Sequence, residues 1–232
     1  MGDTLGDRMK ANYENRTRTY LPRRTYTIIR VDGKAFHTYT RKIKASKPFC
    51  HTLNQRMDDT ARYLCENIQG AQFAYTQSDE ISILVTDFES AKTDSWFDGN
   101  IQKICSVSAS IATVGFNRPD QPPAMFDSRV FVVPDPVEVL NYFYWRYKDW
   151  VRNSVSMLAR AHFSNKELHG VNTSGMHEML HKKGVNWANL DERLKNGSLC
   201  NRNTEGKWEV KAAPKFKEEL EKWKALVPNH GY

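Results

Sequence analysis

Ala71-Gln72-Phe73-Ala74-Tyr75-Thr76-Gln77-Ser78-Asp79-Glu80-Ile81-Ser82-Ile83-Leu84-Val85 is the stretch on which the fold turns. Residues 71–75 and 81–85 carry the aromatic and β-branched side chains of strands. Gln77-Ser78-Asp79-Glu80 between them is a polar turn and the head of the second strand, so the segment reads as a hairpin. Upstream, Leu53, Met57, Ala61, Leu64, Cys65 and Ile68 recur at helical spacing and stop before Gly70. Earlier still, Tyr26-Thr27-Ile28-Ile29-Arg30-Val31 is nearly continuously apolar, as a strand buried on both faces is. Downstream the pattern repeats: Ile101, Ile104, Cys105, Ser108, Ile111 and Ala112 keep helical period, and residues 128–133 form a strand before Pro134. The order β-α-β-β-α-β predicts an α+β fold, a ferredoxin-like palm whose antiparallel sheet carries its helices on one face.

In that topology the first and third strands adjoin and run antiparallel. Asp32, closing the first, and Asp79, heading the third, then converge on one rim. Carboxylates on a rigid sheet edge suit hard cations. Two Mg²⁺ ions held there would acidify an attacking hydroxyl and carry a triphosphate. The candidate catalytic residues are therefore Asp32, Asp79 and, as a supporting carboxylate, Glu80. The candidate metal ligands are Asp32, Asp79 and the carbonyl of Gly33, where the missing side chain lets a cation approach. Lys34, His37 and Lys47 follow and can neutralise phosphate oxygens. The competing reading of Asp32-Gly33 is a two-residue hairpin turn, with residues 35–40 returning as a strand.

The first twenty residues are polar and form an arm. Asp135-Pro136-Val137-Glu138 is a helix start, with Asp135 as cap, proline at the first helical position and Glu138 placed for a capping box. The helix runs toward residue 163. Its aromatic side, Tyr142, Phe143, Trp145 and Trp150, is expected to pack inward, while Arg146, Asp149, Asn153, Ser156 and Arg160 form a polar stripe. Past Gly170 the chain turns polar and irregular until a charged helix over residues 214–225.

Of 232 residues, 34 are Lys or Arg against 27 Asp or Glu, a net charge of +7 that favours a polyanionic partner such as RNA or nucleotides. Cys50, Cys65, Cys105 and Cys200 are scattered, which suggests neither a disulfide framework nor a zinc knuckle and fits a reducing compartment. No apolar run approaches the ~20 residues that cross a bilayer, and no basic-then-apolar leader opens the chain. A cytoplasmic protein with no membrane partner is expected.

Two rival functions stay open. His177-Glu178-Met179-Leu180-His181 matches H-E-x-x-H, the zinc-hydrolase pattern of two histidines on one helical face. Gly175 and Gly184 enclose it in a short segment, and a third ligand is not evident. Separately, Lys182, Lys183, Arg193, Lys195, Arg202, Lys207 and Lys211 are interleaved with Trp187 and Trp208, which suits a non-catalytic RNA-binding module. Each tryptophan can equally be core.

Arg30-Val31-Asp32-Gly33-Lys34-Ala35-Phe36-His37, Lys47-Pro48, Gln77-Ser78-Asp79-Glu80 and Phe126-Asp127-Ser128-Arg129-Val130 resemble, in order and spacing, the tRNA-histidine guanylyltransferase superfamily over roughly residues 5–160. The resemblance implies a polymerase-like palm that extends RNA in the 3′-to-5′ direction. The 3′-hydroxyl of an incoming nucleotide attacks a tRNA 5′ end activated as a triphosphate or an adenylate. It implies Asp32, Gly33 and Asp79 as ligands of two Mg²⁺ ions, residues Asp32 to His37 (Lys34, Ala35 and Phe36 among them) with Ser78 at the nucleotide, and Lys47 on a triphosphate. Arg129, Arg152 and Asn153 become candidate contacts to tRNA or triphosphate. ATP, GTP and other nucleoside triphosphates are the implied substrates, tRNA the macromolecular partner, and a dimer or tetramer the implied assembly. Residues 1–134 would hold the arm and catalytic palm, and residues 135–232 the long helix and a basic tRNA-binding region. Where histidine-specific enzymes carry His-Ile-Asn-Asn-Leu-Tyr-Asn, this chain has Val151-Arg152-Asn153-Ser154-Val155-Ser156-Met157, and Cys50 replaces an acid. It therefore resembles the bacterial and archaeal branch, associated with templated repair of truncated tRNA 5′ ends, with G-1 addition to tRNA-histidine as the alternative.

Overall fold

The computed structural model describes residues 4–229. A short helix α1 (Leu5–Asn12) lies in the polar arm, and Tyr20 ties the arm to Asn100 by a β-bridge. Then come β1 (Tyr26–Gly33), α2 (Phe36–Lys42), α3 (His51–Asn67), β2 (Ala71–Gln77), β3 (Glu80–Val85), α4 (Ile101–Phe116), β4 (Phe126–Val133) and α5 (Pro136–His162). The remainder holds α6 (Thr173–Lys182), α7 (Glu192–Asn196), β5 (Ser198–Arg202), β6 (Trp208–Ala212) and α8 (Leu220–Lys224).

The six strands form one sheet in the order β4-β1-β3-β2-β5-β6. Its first four strands are the expected palm order, and every pairing is antiparallel. β1 shows why it reads as apolar throughout. Ile29 and Val31 enter the core beneath α3 and α4 with Met57, Leu64 and Phe116, while Tyr26 and Ile28 enter a second core on the opposite face with Phe143 and Trp223. The two palm helices do share one face; α5 and α8 cover the other. No helix among the described residues is long and apolar enough to cross a membrane.

Residues 35–40 are not a returning strand. Ala35 adopts a left-handed conformation (φ 52°, ψ 40°) and releases the chain into α2, which rules out the hairpin reading of Asp32-Gly33. The region past residue 170 was expected to be helical or irregular, yet β5 and β6 extend the palm sheet from β2, with Thr76 opposite Ser198 and Phe73 opposite Asn201. Gly197 permits the approach: at φ +79° a Cβ there would lie 2.7 Å from the Thr76 carbonyl oxygen. Periodicity was a poor guide here because each strand is five residues long. The final helix shrinks to Leu220–Lys224, since Phe216 and Trp223 fold back onto the second core in place of continuing a surface face.

α5 begins as expected, with Asp135 accepting from the Glu138 N–H at 2.9 Å. Glu138 does not complete a capping box; its Oε1 accepts from Asn141 at 3.0 Å. Tyr142, Phe143 and Trp150 are buried, but Trp145 is 54% exposed, and Arg146 from the polar stripe is buried in its place.

Candidate active site

The β1–β3 register places Asp32 directly opposite Glu80, and the Gly33 N–H donates to the Asp79 carbonyl oxygen at 3.0 Å. Asp79 sits with Ser78 in the two-residue turn between β2 and β3, closed by the pair Gln77 and Glu80. Ser78 takes φ +50° and its hydroxyl donates to Asp79 Oδ1 at 2.9 Å. One rim thus gathers Asp32, Gly33, Ser78 and Asp79.

Burial pushes the Asp79 carboxyl up to about 6. The Ser78 hydroxyl pulls the other way, and the charge of nearby Asp32 adds to the rise. Two acids in this relation repel unless a cation lies between them. The donors are all hard oxygens, the set that Mg²⁺ takes. Among the described residues no three His, Cys, Asp or Glu side chains come together as a metal-binding group. Asp32 and Asp79 can therefore supply two side-chain ligands, leaving further positions to a backbone carbonyl, water and phosphate, as Mg²⁺ sites commonly do.

Glu80 has a different role from that of a free ligand. Arg146 donates to both its oxygens, at 2.7 and 3.1 Å, and Arg30 lies 2.6 Å from Oε2. Arg30 also stands 3.8 Å from Asp32. Arg146 continues to Asp149 at 2.9 Å, and Asp149 to Arg152. The sequence reading missed Arg30, although an arginine inside an apolar strand and two residues from Asp32 signals a buried carboxylate partner on the same face.

The loop after β1 is held from several sides. The Lys34 N–H donates to the Met125 carbonyl at 2.8 Å. Phe36 is a core residue, packed on Tyr39, Phe116 and Phe126 with ring centroids 5.0–5.7 Å apart. A Cβ on Gly33 would fall 2.2 Å from its ring. Lys34 and His37 are exposed beside it, and the His37 ring bonds Arg41 at 3.2 Å. Lys47 is exposed in the loop between α2 and α3 and has no ion pair among the described residues. Arg129 pairs with Asp127 at 3.2 Å, next to β1, where it is the register partner of Arg30. Arg152 and Asn153 both reach Asp149, on α5. The candidates therefore divide into a rim group, a loop group and an α5 group joined to the rim through Arg146. His177 and His181 do lie on one helix, α6, where His177 meets the Trp187 ring edge-on at 5.6 Å.

Known proteins share this fold. The family model described as Thg1, tRNAHis guanylyltransferase, matches residues 6–134. A bacterial tRNA(His) guanylyltransferase (Thg1)-like protein solved in complex with ATP superposes with a TM-score of 0.90 at 42% identity, covering 97% of this chain and 99% of that one. A bacterial Thg1-like protein in complex with GTP gives 0.81 at 39% identity, with the same coverage. The tRNA(His) guanylyltransferase of Debaryomyces hansenii is 29% identical over 198 residues, 75% of this chain and 72% of that protein. The chain belongs to the tRNAHis guanylyltransferase (Thg1) family of nucleotidyltransferases.

Proposed function

We propose that this protein is a template-dependent 3′-to-5′ nucleotidyltransferase that adds nucleotides to the 5′ end of truncated tRNA. The observation that carries the reading is the convergence of Asp32 and Asp79 on one rim through β1–β3 pairing. The likeness to bacterial proteins solved with ATP and with GTP supports nucleoside triphosphates as substrates.

Asp32, Asp79 and the Gly33 carbonyl would hold two Mg²⁺ ions, which when bound acidify a hydroxyl and neutralise phosphate charge. The protein's own groups prepare the rest. Ser78 fixes the orientation of the Asp79 carboxylate. Arg30 and Arg146 clamp Glu80 and so hold the head of β3 in register with Asp32. The loop bearing Lys34 and His37 stays in place because Phe36 is plugged into the core, and its exposed Lys34 ammonium and His37 ring face phosphate oxygens. Lys47 and Arg129 are further phosphate contacts in this reading.

Incubation with tRNA lacking its first nucleotide, with the opposing base varied, tests it. Incorporation should follow the opposing base and require divalent cation. Addition of G whatever the template would replace this reading with G-1 addition to tRNA-histidine. No incorporation under any template would overturn both.

A further inference from the structure

Away from the rim, a groove of about 550 Å³ runs between α5 and the segment leading into α8. Five cationic side chains and one carboxylate line it. Three of the cations are engaged: Lys195 by Glu192 at 2.9 Å, Lys215 by Glu218 at 3.1 Å and Arg152 by Asp149. Lys148 and Lys217 are exposed and have no ion pair among the described residues. Their ammonium groups flank one ring, Tyr144, at 5.5 and 5.7 Å from its centroid. That ring rests on Phe216 at 5.0 Å, and Tyr147 and Trp187, both half-buried, continue the aromatic surface.

A positive rim over partly exposed rings is the chemistry of a single-stranded nucleic-acid site. Phosphates meet lysines there, and bases stack on aromatic faces. A folded-protein partner would face an excess of positive charge with few apolar anchors left free. The groove is also close to the candidate active site: Arg152 at its wall is joined to Glu80 through Asp149 and Arg146, and six residues of helix span roughly 9 Å.

We infer that this groove binds the unpaired 3′ strand of the tRNA acceptor end, seating its phosphates on Lys148 and Lys217 and a base on Tyr144. The inference rests on the proposed reaction. A tRNA whose 5′ end lies at Asp32 and Asp79 carries its unpaired 3′ nucleotides on the neighbouring strand, within reach of α5. Neither lysine belongs to the catalytic rim, and both project into solvent, so reversing their charge leaves the fold intact.

The test compares wild-type protein, Lys148→Glu/Lys217→Glu, and the control pair Lys92→Glu/Lys166→Glu, which makes the same change in net charge elsewhere. Each is titrated with intact tRNA and with the same tRNA trimmed of its unpaired 3′ nucleotides, over a range of salt. The groove variant should lose about tenfold or more in affinity for intact tRNA, and its log–log salt dependence should be shallower by about 2. It should bind trimmed tRNA as the wild type does, and retain ATP binding. Unchanged affinity for intact tRNA, an equal loss on trimmed tRNA, or an equal loss in the control pair would each overturn the inference. Wild-type protein that bound neither RNA would overturn the tRNA reading itself along with it.

Discussion

The Arg146 guanidinium holds both oxygens of Glu80, Nε to Oε1 at 2.7 Å and Nη2 to Oε2 at 3.1 Å, joining α5 to the head of β3. Both side chains are about 6% exposed. Removing Arg146 leaves the buried Glu80 carboxylate one cationic partner, Arg30 at 2.6 Å, in place of two, and ends the two-oxygen clamp. Arg146→Met should therefore lower unfolding free energy by about 3 kcal/mol in urea titration, with the denaturant slope unchanged. Arg146→Lys should recover only part of this, since a lysine cannot bridge both oxygens.

Asp79 gives a prediction with a definite sign. Its carboxyl is raised to about 6, mainly by burial, above the usual ~3.9 of an unfolded chain. Folding therefore favours the protonated form, so stability is fullest below pH 4 and declines as pH climbs through 6. In chelator at pH 8, Asp79→Asn should be more stable than wild type by about 3 kcal/mol, and the gain should vanish by pH 4. Added Mg²⁺ should raise the melting temperature of the wild type and not of the variant.

Asp79→Ala and Asp32→Ala should each abolish nucleotide addition while the circular dichroism spectrum and tRNA affinity stay as in the wild type. Addition by either variant would dismiss the two-metal assignment.

Gly33→Ala would drive a methyl into the Phe36 ring, which the surrounding aromatics prevent from yielding. A loss of about 1–3 kcal/mol is expected from the overpacking, together with loss of addition. Shortening the obstruction in Gly33→Ala/Phe36→Leu should restore part of the stability, measured by thermal melting.

His177→Ala should leave nucleotide addition at the wild-type rate and alter stability by no more than about 0.5 kcal/mol, because the ring makes one edge contact on a partly exposed helix. Activity lost in that variant, with zinc present in the wild type, would favour the hydrolase.

The palm was legible because its elements are long and carry their own signals. β1 is buried on both faces, α3 spans 17 residues with one buried side, and Asp135 and Pro136 open α5 by local chemistry alone. The meeting of Asp32 with Asp79 then followed from strand adjacency. What escaped notice depended on contacts between distant segments. Arg146 was assigned to a polar stripe without a partner because its helical position says nothing of Glu80, 66 residues away. Trp145 was expected inside because residue type suggests burial, whereas the sheet receives only Tyr142, Phe143 and their neighbours on that side of the helix. The β5–β6 hairpin was hidden by brevity and by polar residues such as Asn201, Arg202 and Lys211 that suit a strand only once β2 offers its edge.

That hairpin separates two events in the making of the protein. A ribosome that has released residues 1–197 has delivered Asp32, Gly33, Ser78 and Asp79, the candidate catalytic rim, together with Glu80, Arg30 and Arg146. β2 is nonetheless left with a row of unpaired amides and carbonyls, a template for any other strand nearby. Only when residues 198–212 emerge does the nascent sheet gain its own cover. Residues 198–212 thus close an edge that the four palm strands leave open, and a stop codon ahead of them would expose the backbone of β2 to pairing with another chain.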